Sequence, residues 1–326
     1  MGTSELTVPA IGFGCWEMGG TYGAIDDGEA TAAIHRALDL GVTLYDTALV
    51  YGYMPLQGAG EAGRSERLLA RALGPRRRDV LVVTKGGLPT RPGLKPGRDG
   101  RYQTVIEDCE TSLRNLATDS IDLYLIHWPD PETPFEETMR ALTDLVAAGK
   151  VRHIGVSNFS AAQLRACRAH APIVANQVGY NLFDRRWERE MFATAAELGI
   201  GIMAYGPLAH GLLTGTFTAE TTFESSDWRA AGMIFRQPLF SPEHFPANLA
   251  VVERLKAFAA QKNASLPCLA LAWVLANPQV AVALAGARRP SEIEENVTAL
   301  TIQLTPADRA ELDAIMQEAA GLIDAV

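Results

Sequence analysis

Residues 121–159, IDLYLIHWPDPETPFEETMRALTDLVAAGKVRHIGVSNF, contain the pattern that decides the fold. The apolar runs at 123–126 and 153–156 are short enough for buried strands, and His127 and Ser157 follow them directly. Between the runs, an apolar stripe at helical spacing ends at a glycine, a typical residue just past a helix end: Met139, Leu142, Val146 and Gly149. A strand, a helix and a second strand in this order indicate a parallel βαβ unit.

The same alternation continues along the whole chain. Eight short apolar runs predict eight strands, at residues 8–12, 44–45, 80–84, 123–126, 153–156, 173–176, 202–204 and 280–285. Amphipathic stretches of helical length separate these runs, and none of the stretches has the length of a linker between domains. We therefore predict a single domain that covers residues 1–326.

Two architectures fit eight strands that alternate with helices: an open doubly wound sheet and a closed eightfold barrel. An open sheet that binds a dinucleotide is expected to carry a G-x-G-x-x-G turn, but Gly12, Gly14, Gly19 and Gly20 have the wrong spacing. The sequence therefore favours a (β/α)8 TIM barrel, whose active site lies at the C-terminal ends of the strands. Polar residues stand at those ends: Asp46, Lys85, His127, Ser157, Gln177 and Tyr205.

The composition narrows the class of protein further. The 326 residues carry a net charge of −9, and 48% of them are hydrophobic, which is typical of a globular protein and argues against a nucleic-acid partner. Four widely spaced cysteines form no metal-ligand pattern, so we expect no metal site: Cys15, Cys109, Cys167 and Cys268. No stretch resembles a secretion signal or a membrane span, and the expected location is the cytoplasm, with reduced cysteines.

Four residues at or near consecutive strand ends form a chemically meaningful set: Asp46, Tyr51, Lys85 and His127. A tyrosine with an ordinary pKa of about 10 is a poor acid at neutral pH. A lysine ammonium held by a carboxylate is expected to lower that pKa, and a histidine can orient a substrate oxygen. This set suits reversible carbonyl reduction. Taken singly, each residue also has an ordinary structural explanation, from a loop cap to a packed core histidine.

Four segments carry motifs of one known family. Residues 46–52 read DTALVYG, residues 112–130 read SLRNLATDSIDLYLIHWPD, residues 149–159 read GKVRHIGVSNF, and residues 286–296 read GARRPSEIEEN. In this order they resemble the signatures of the aldo-keto reductase superfamily, over a region from Gly2 to about Asp313. The motifs are also similar to those of the branch that contains the potassium-channel β subunits.

The resemblance implies a role for each matching residue. Tyr51 would be the general acid, Lys85 and Asp46 would lower its pKa, and His127 would orient the carbonyl. Ser157, Asn158 and Gln177 would bind the nicotinamide carboxamide, and Tyr205 would stack on the nicotinamide ring. The remaining cofactor positions would follow the pyrophosphate, at Pro207, Leu208, Gly211, Leu213 and Arg229, and the adenosine end, at Gly286, Arg288, Glu292, Glu295 and Asn296.

The substrate pocket is expected to have aromatic walls, from Trp16, Tyr53 and Trp128. An apparent insertion at 53–62 either shapes this pocket or forms an oligomer contact. The irregular stretch at 209–246 is long enough to be a functional loop, and it matches a family loop that closes over the cofactor. Its residues Trp228 and Phe235 either line the site or only anchor the loop.

Some positions depart from the family's pattern. Glu292 stands where arginine or glutamine often favours the 2′-phosphate of NADP, and an acidic residue there suits NAD. Arg288 and Arg289 favour phosphate, so NADP(H) is the expected cofactor and NAD(H) the alternative. The chain also offers little of the N-terminal hairpin that covers the barrel floor in relatives, and we expect this absence to affect stability and not the chemistry.

The resulting hypothesis is an NADP(H)-dependent reductase of aldehydes, ketones or keto-sugars, which acts on a small molecule and has no membrane partner. One alternative is a sugar or alcohol dehydrogenase that works in the oxidative direction. A different class is a nucleotide-binding regulatory subunit, since such subunits keep the same four residues. A metal-dependent barrel hydrolase would require a histidine–carboxylate cluster that the sequence does not show.

Overall fold

The strands form the framework that positions the site. A computed structural model describes residues 1–20, 22–23, 25–54, 59–90, 97–225 and 227–322. These ranges contain the strands β1 (Ile11–Gly14), β2 (Leu44–Asp46), β3 (Tyr53–Met54), β4 (Ala59–Gly60), β5 (Leu81–Gly86), β6 (Ile121–Ile126), β7 (Val151–Ser157), β8 (Ala175–Gly179), β9 (Gly201–Tyr205) and β10 (Val280–Gly286). Except for β3 and β4, they close into a parallel barrel in the order β1, β2, β5, β6, β7, β8, β9, β10. The predicted eightfold barrel is confirmed.

All eight predicted strands overlap a barrel strand, but their bounds differ. The first was expected at residues 8–12 and lies at Ile11–Gly14, and the sixth was expected at 173–176 and lies at Ala175–Gly179. Pairing with the neighbouring strands sets these bounds. Gly14, for example, pairs with Asp46 on one side and with Gly286 on the other, and an apolar run in the sequence does not reveal such pairing.

Helices surround the barrel, and their ends follow the expected capping chemistry. They are α1 (Asp27–Asp39), α2 (Arg64–Leu73), α3 (Tyr102–Asn115), α4 (Phe135–Ala147), α5 (Ala161–Arg168), α6 (Glu190–Glu197), α7 (Phe245–Gln261), α8 (Leu266–Leu275), α9 (Pro290–Thr298) and α10 (Pro306–Met316). Ser160 and Gln163 form a capping box at the start of α5. On α4, Met139 and Leu142 are buried as predicted, whereas Val146 is 38% exposed and Leu145 takes the core position.

The N-terminal residues of the chain close the end of the barrel where the strands begin. The apolar side chains of the barrel interior include Leu44, Val83, Leu123, Leu125, Met203, Val282 and Leu284, and Met1 and Leu6 belong to the same buried cluster. Met1 packs against Gly201, the first residue of β9, and therefore lies at the N-terminal end of the strands. Residues 1–6 contain no strand and therefore no hairpin, and Met1 and Leu6 supply apolar cover at this end of the barrel.

Other sequence features also have a defined place. Strands β3 and β4 form a short antiparallel ribbon inside the 53–62 insertion, and residues 55–58 of that insertion lie outside the described part of the chain. All four cysteines are buried free thiols. Of the helices in the described ranges, none has both the length and the apolar character needed to cross a membrane.

Candidate active site

A cavity of about 670 Å³ opens at the C-terminal ends of the barrel strands. One end reaches Tyr51, His127 and Trp128, and the other end reaches the first turns of α9. Most of the residues expected at the site line this cavity: Trp16, Asp46, Tyr51, Tyr53, His127, Trp128, Ser157, Asn158, Gln177, Tyr205, Pro207, Leu208, Gly211, Arg229, Gly286, Arg288, Glu292, Glu295 and Asn296. The barrel therefore brings together side chains that are far apart in the sequence.

Lys85 is the centre of a buried polar network. Its ammonium donates hydrogen bonds to Asp46 Oδ2 at 2.8 Å, to the Thr47 carbonyl at 2.8 Å and to the Tyr51 hydroxyl at 3.1 Å. Asp46 Oδ1 accepts a further bond, from Gln177 Nε2, at 2.7 Å. Lys85 itself has no exposed surface, so it acts on the cavity through its bonded partners Tyr51 and Asp46, which line it. All three donors of the ammonium are used, which compensates for its burial.

The protonation of this network differs from the expectation. Burial raises the pKa of the Tyr51 phenol well above its usual value, and the nearby Asp46 carboxylate raises that pKa further. Burial lowers the pKa of the Lys85 ammonium, and Asp46 opposes that shift. The expected lowering of the Tyr51 pKa is therefore wrong, because loss of solvation on burial raises it. Tyr51 holds its proton and can serve as a donor.

His127 lies beside Tyr51 as a neutral ring. The two ring centroids are 5.9 Å apart, and the planes meet at 73°. Burial lowers the pKa of the imidazole well below its usual value, and the positive charge of Lys85 lowers it further. Within the described ranges, His127 Nδ1 is buried without a hydrogen-bond partner. A neutral histidine can bind a carbonyl oxygen but cannot act as a strong acid there.

The residues expected around the carboxamide form a connected group. Tyr205 donates from its hydroxyl to Asn158 Oδ1 at 3.0 Å, and Asn158 Nδ2 donates to the His127 carbonyl at 3.0 Å. Ser157 donates to the Gln177 carbonyl at 2.9 Å. The Tyr205 ring lies against Gly179, where a Cβ would come within 3.2 Å of it, so the glycine lets the ring lie close to the strand.

The far end of the cavity is formed by the segment after β10 and by the start of α9. Glu292 accepts a 2.7 Å bond from the Arg288 backbone amide, and its carboxylate lies 3.6 Å from Arg289 Nε. Asn296 Nδ2 donates to the Gly286 carbonyl at 3.3 Å. Backbone amides at a helix N-terminus and nearby arginines are groups that bind phosphate.

Leu213 does not fit its expected role along the pyrophosphate. It is fully buried in the main apolar core and does not line the cavity. The cause is the backbone before it, because His210 and Gly211 have φ angles of 57° and 99° and turn the following residues inward. Sequence spacing alone does not reveal such a turn.

Arg229 lines the cavity, but its charge is already balanced. Asp227 accepts from Arg229 Nη2 at 2.6 Å and from Nε at 3.0 Å. The guanidinium also lies over the rings of Tyr22, Phe217 and Phe223, at 4.8–5.5 Å from their centroids. A phosphate at this position would therefore meet an ion pair instead of a free cation.

Aromatic rings frame the cavity around Tyr51, and we call Trp16, Trp128, Trp228 and Phe235 the aromatic mouth. Phe235 is the common neighbour, with centroids 6.0 Å from Trp16, 6.0 Å from Trp128 and 5.4 Å from Trp228. It also meets the Tyr205 ring at 5.6 Å. Trp228 and Phe235 therefore line the site and do more than anchor the loop.

Phe235 is held at the tip of a two-residue turn. Ile234 and Gln237 exchange two backbone hydrogen bonds of 2.7 Å, and Phe235 and Arg236 between them have φ angles of 45° and 70°. Such turns normally carry Asn or Gly, since a bulky residue is strained at positive φ. Arg186 donates to the Phe235 carbonyl at 3.1 Å and thus fixes the tip over the mouth.

Three further titratable residues of the cavity lining had no role in the sequence interpretation: Glu17, Tyr22 and His210. The Tyr22 hydroxyl and His210 Nδ1 are hydrogen-bonded at 3.2 Å, which joins the segment after β1 to the long loop. Burial lowers the pKa of His210 to about 3, with Arg229 as a second cause, so its ring is neutral. The only sequence signal for Glu17 was its place just after a strand end.

Groups of three or more His, Cys, Asp or Glu side chains placed to hold a metal ion are absent from the described ranges. The barrel fold, the tyrosine–lysine–aspartate network and the long cavity beside it define a barrel oxidoreductase.

Comparison with known proteins gives the family. The sequence profile of the Aldo/keto reductase family matches residues 10–317. The aldo-keto reductase YhdN of Bacillus subtilis (strain 168) is 37% identical over 313 residues, which cover 94% of this chain and 89% of that protein. The chain belongs to the aldo/keto reductase family, whose members are NAD(P)H-dependent oxidoreductases acting on small carbonyl compounds.

Two further relatives bear on the cofactor and the substrate. The aldo-keto reductase yakc [NADP(+)] of Schizosaccharomyces pombe is 33% identical over 312 residues, which cover 94% of this chain and 88% of that protein. The solved structure of the glycerol dehydrogenase AKR11B4 from Gluconobacter oxydans superimposes with a TM-score of 0.84 at 33% identity, over 98% of this chain and 95% of that chain.

Proposed function

We propose that this protein reduces an aldehyde or ketone to the alcohol with NADPH, and that Tyr51 is the general acid. The observation that carries the proposal is the hydrogen bond from Lys85 to the Tyr51 hydroxyl, at one end of a cavity whose other end is a helix N-terminus. A proton donor and a phosphate-binding end in one cavity suit a dinucleotide that meets a carbonyl.

The lining of the cavity fits a nicotinamide dinucleotide. Ser157, Asn158 and Gln177 present polar groups beside the Tyr205 ring, and the segment 286–296 presents backbone amides and arginines at the other end. We assign the carboxamide to the first group, the nicotinamide ring to Tyr205 and the adenosine phosphate to the second group. A bound reduced nicotinamide supplies the hydride.

The protein supplies the proton and holds the carbonyl. Tyr51 donates its phenolic proton to the developing alkoxide, and the Lys85 ammonium 3.1 Å away stabilises the phenolate that remains. Asp46 keeps Lys85 charged, since burial alone lowers the pKa of that lysine. His127, as a neutral ring beside Tyr51, orients the carbonyl oxygen.

We assign NADPH as the preferred cofactor. Arg288 and Arg289 line the phosphate end of the cavity, and guanidinium groups suit a 2′-phosphate. Glu292 opposes this preference less than its sequence position suggested, because its carboxylate is hydrogen-bonded to the Arg288 amide. The yeast relative named for NADP(+) supports the same choice.

The aromatic mouth favours a flat, uncharged carbonyl compound. Its walls are four aromatic rings, and the nearest carboxylate of the network, Asp46, is engaged by Lys85 and Gln177. Rings of this kind recognise planar apolar groups by stacking and by burial of area. A second candidate is alcohol oxidation, because the structural relative AKR11B4 is named a glycerol dehydrogenase.

A titration of the purified protein with NADPH and NADH, read by fluorescence, tests this function first. Turnover of 4-nitrobenzaldehyde, compared with oxidation of glycerol, then gives the preferred direction. Tighter binding of NADPH and reduction of the aldehyde are the expected results. Tight binding without turnover of any carbonyl compound would favour a regulatory subunit over an enzyme. No binding of either nucleotide would refute the proposed function.

A further inference from the structure

Glu17 places a carboxylate inside the proposed cofactor cavity. It follows β1 by three residues and lines the cavity between Trp16 and the segment after β10. The carboxylate lies directly against the backbone of Gly286, the last residue of β10, where a Cβ would collide with it. Glu17 therefore stands where the barrel end meets the phosphate-binding segment.

The Glu17 carboxylate is set apart from the ion pairs of the described residues. Over the described ranges, none of the ion pairs within 4 Å includes Glu17, although two arginines are near enough to act on it. Burial raises the pKa of Glu17 to about 7, and the charge of Glu292 raises it further. Its own backbone amide, Arg288 and Arg229 act in the opposite direction.

The other groups that face Glu17 do not compensate for its charge. Tyr22 on the same loop, Cys15 before it and Tyr51 after β2 all feel the charge of Glu17, and burial raises the pKa of each. They are therefore neutral near pH 7. Arg229, the cation on the long loop, is already paired with Asp227.

We propose that Glu17 contacts the bound dinucleotide and must be protonated when it does so, so that cofactor binding takes up a proton from solvent. The proposal rests on the proposed function, because it needs the phosphates of the dinucleotide in this cavity. A phosphate group brought near an unpaired carboxylate is repelled, whereas a neutral carboxyl group can donate a hydrogen bond to phosphate or ribose oxygen. Binding thus selects the protonated form of Glu17.

The direction of the pH effect follows from proton linkage. The free protein loses the Glu17 proton as the pH rises through about 7, whereas the complex keeps it to higher pH. The dissociation constant of NADPH should therefore rise by about tenfold per pH unit above pH 7. The phosphate of the cofactor contributes little proton exchange at pH 8, because the second pKa of a phosphate monoester is about 6.

Calorimetric titration with NADPH at pH 8, in two buffers of different ionisation enthalpy, measures the proton uptake directly. Wild-type protein should take up about one proton per NADPH. Glu17→Gln keeps the size of the side chain and cannot titrate, so its proton uptake should fall to near zero and its affinity should change little between pH 7 and pH 9. Glu294→Gln, the matched control, removes a carboxylate of α9 that pairs with Arg36 and does not line the cavity, and it should keep the wild-type proton uptake.

The outcomes separate the two proposals. Loss of proton uptake in Glu17→Gln alone supports the role of Glu17. Equal proton uptake in wild type and Glu17→Gln, or binding by wild type with no proton uptake, overturns that role and leaves NADPH binding established. Absence of NADPH binding at every pH overturns the role of Glu17 together with the proposed function.

Discussion

The polar network at Lys85 and the aromatic mouth lie side by side, yet they are built in different ways. The network joins groups on β2, β5 and β8 and in the segment after β2 by hydrogen bonds of 2.7–3.1 Å. The mouth joins rings from three loops at centroid distances of 4.5–6.0 Å. Strand register fixes the first region, and loop packing fixes the second. The comparison suggests that the reaction is set by the barrel and the choice of substrate by the loops.

The largest expected loss of turnover comes from a change at Tyr51, the residue of the network that faces the cavity. Tyr51→Phe removes only the phenolic hydroxyl, so turnover of an aldehyde should fall by about 10²- to 10⁴-fold while NADPH binding changes little. Steady-state kinetics and a fluorescence titration on the same preparation measure both quantities. Turnover close to that of the wild type would show that the proton comes from elsewhere.

A smaller loss of turnover is expected from a change at Gln177, where the network reaches the proposed cofactor region. Gln177→Leu leaves Asp46 Oδ1 without the donor that lies 2.7 Å away, which should lower the free energy of unfolding by about 1–3 kcal/mol. Turnover should fall as well, because Asp46 positions Lys85. Urea unfolding and kcat measurements test both effects.

Gln237→Leu is the matched control for that variant. Gln237 is also buried, and it donates to the Phe183 carbonyl at 2.7 Å beneath the turn that carries Phe235. We expect a similar loss of stability but near-normal turnover of a small aldehyde. Equal losses of turnover in both variants would contradict the separation of the two regions.

Phe235→Ala should change the mouth and leave the network intact. Removing the ring opens the space between Trp16 and Trp128, so kcat/KM for biphenyl-4-carbaldehyde relative to propanal should rise by about tenfold. Phe223→Ala is the control, because Phe223 belongs to the same loop but packs on Phe217 and Phe240. A constant ratio in Phe235→Ala, or the same change in both variants, would show that Phe235 does not select substrates.

The smallest effect is expected at the far end of the cavity. Glu292→Arg adds a cation near the assigned 2′-phosphate but loses the bond to the Arg288 amide, so the two consequences partly offset each other. The preference for NADPH over NADH should rise by about three- to tenfold. Dissociation constants for both nucleotides measure it, and an unchanged preference would mean that Glu292 does not face the 2′ position.

The sequence predicted the parts of the site that depend on strand ends. Asp46 ends β2, Lys85 is the last residue but one of β5, and His127 follows β6. The alternation of strands and helices was therefore enough to predict that they lie together. The bond between Asp46 and Gln177 was not predictable, because it joins residues 131 positions apart through barrel closure.

The loops were less predictable for physical reasons. The turn at Phe235 lacks the Asn or Gly that normally marks such a conformation, so no local signal indicated it. Leu213 was misplaced because the left-handed residues before it turn the chain inward. The raised pKa of Tyr51 was also missed, because burial is a property of the packed structure and not of the sequence motif.

Transfer of hydride to the carbonyl carbon tests the central claim most directly. The protein would be incubated with an aldehyde and with NADPH that carries deuterium at the transferable position of the nicotinamide C4, and the alcohol would be examined by mass spectrometry. We predict an alcohol that carries one deuterium on the former carbonyl carbon, and greatly reduced product with Tyr51→Phe. An alcohol without deuterium, or no alcohol from any carbonyl compound that fits the mouth, would contradict the proposed function.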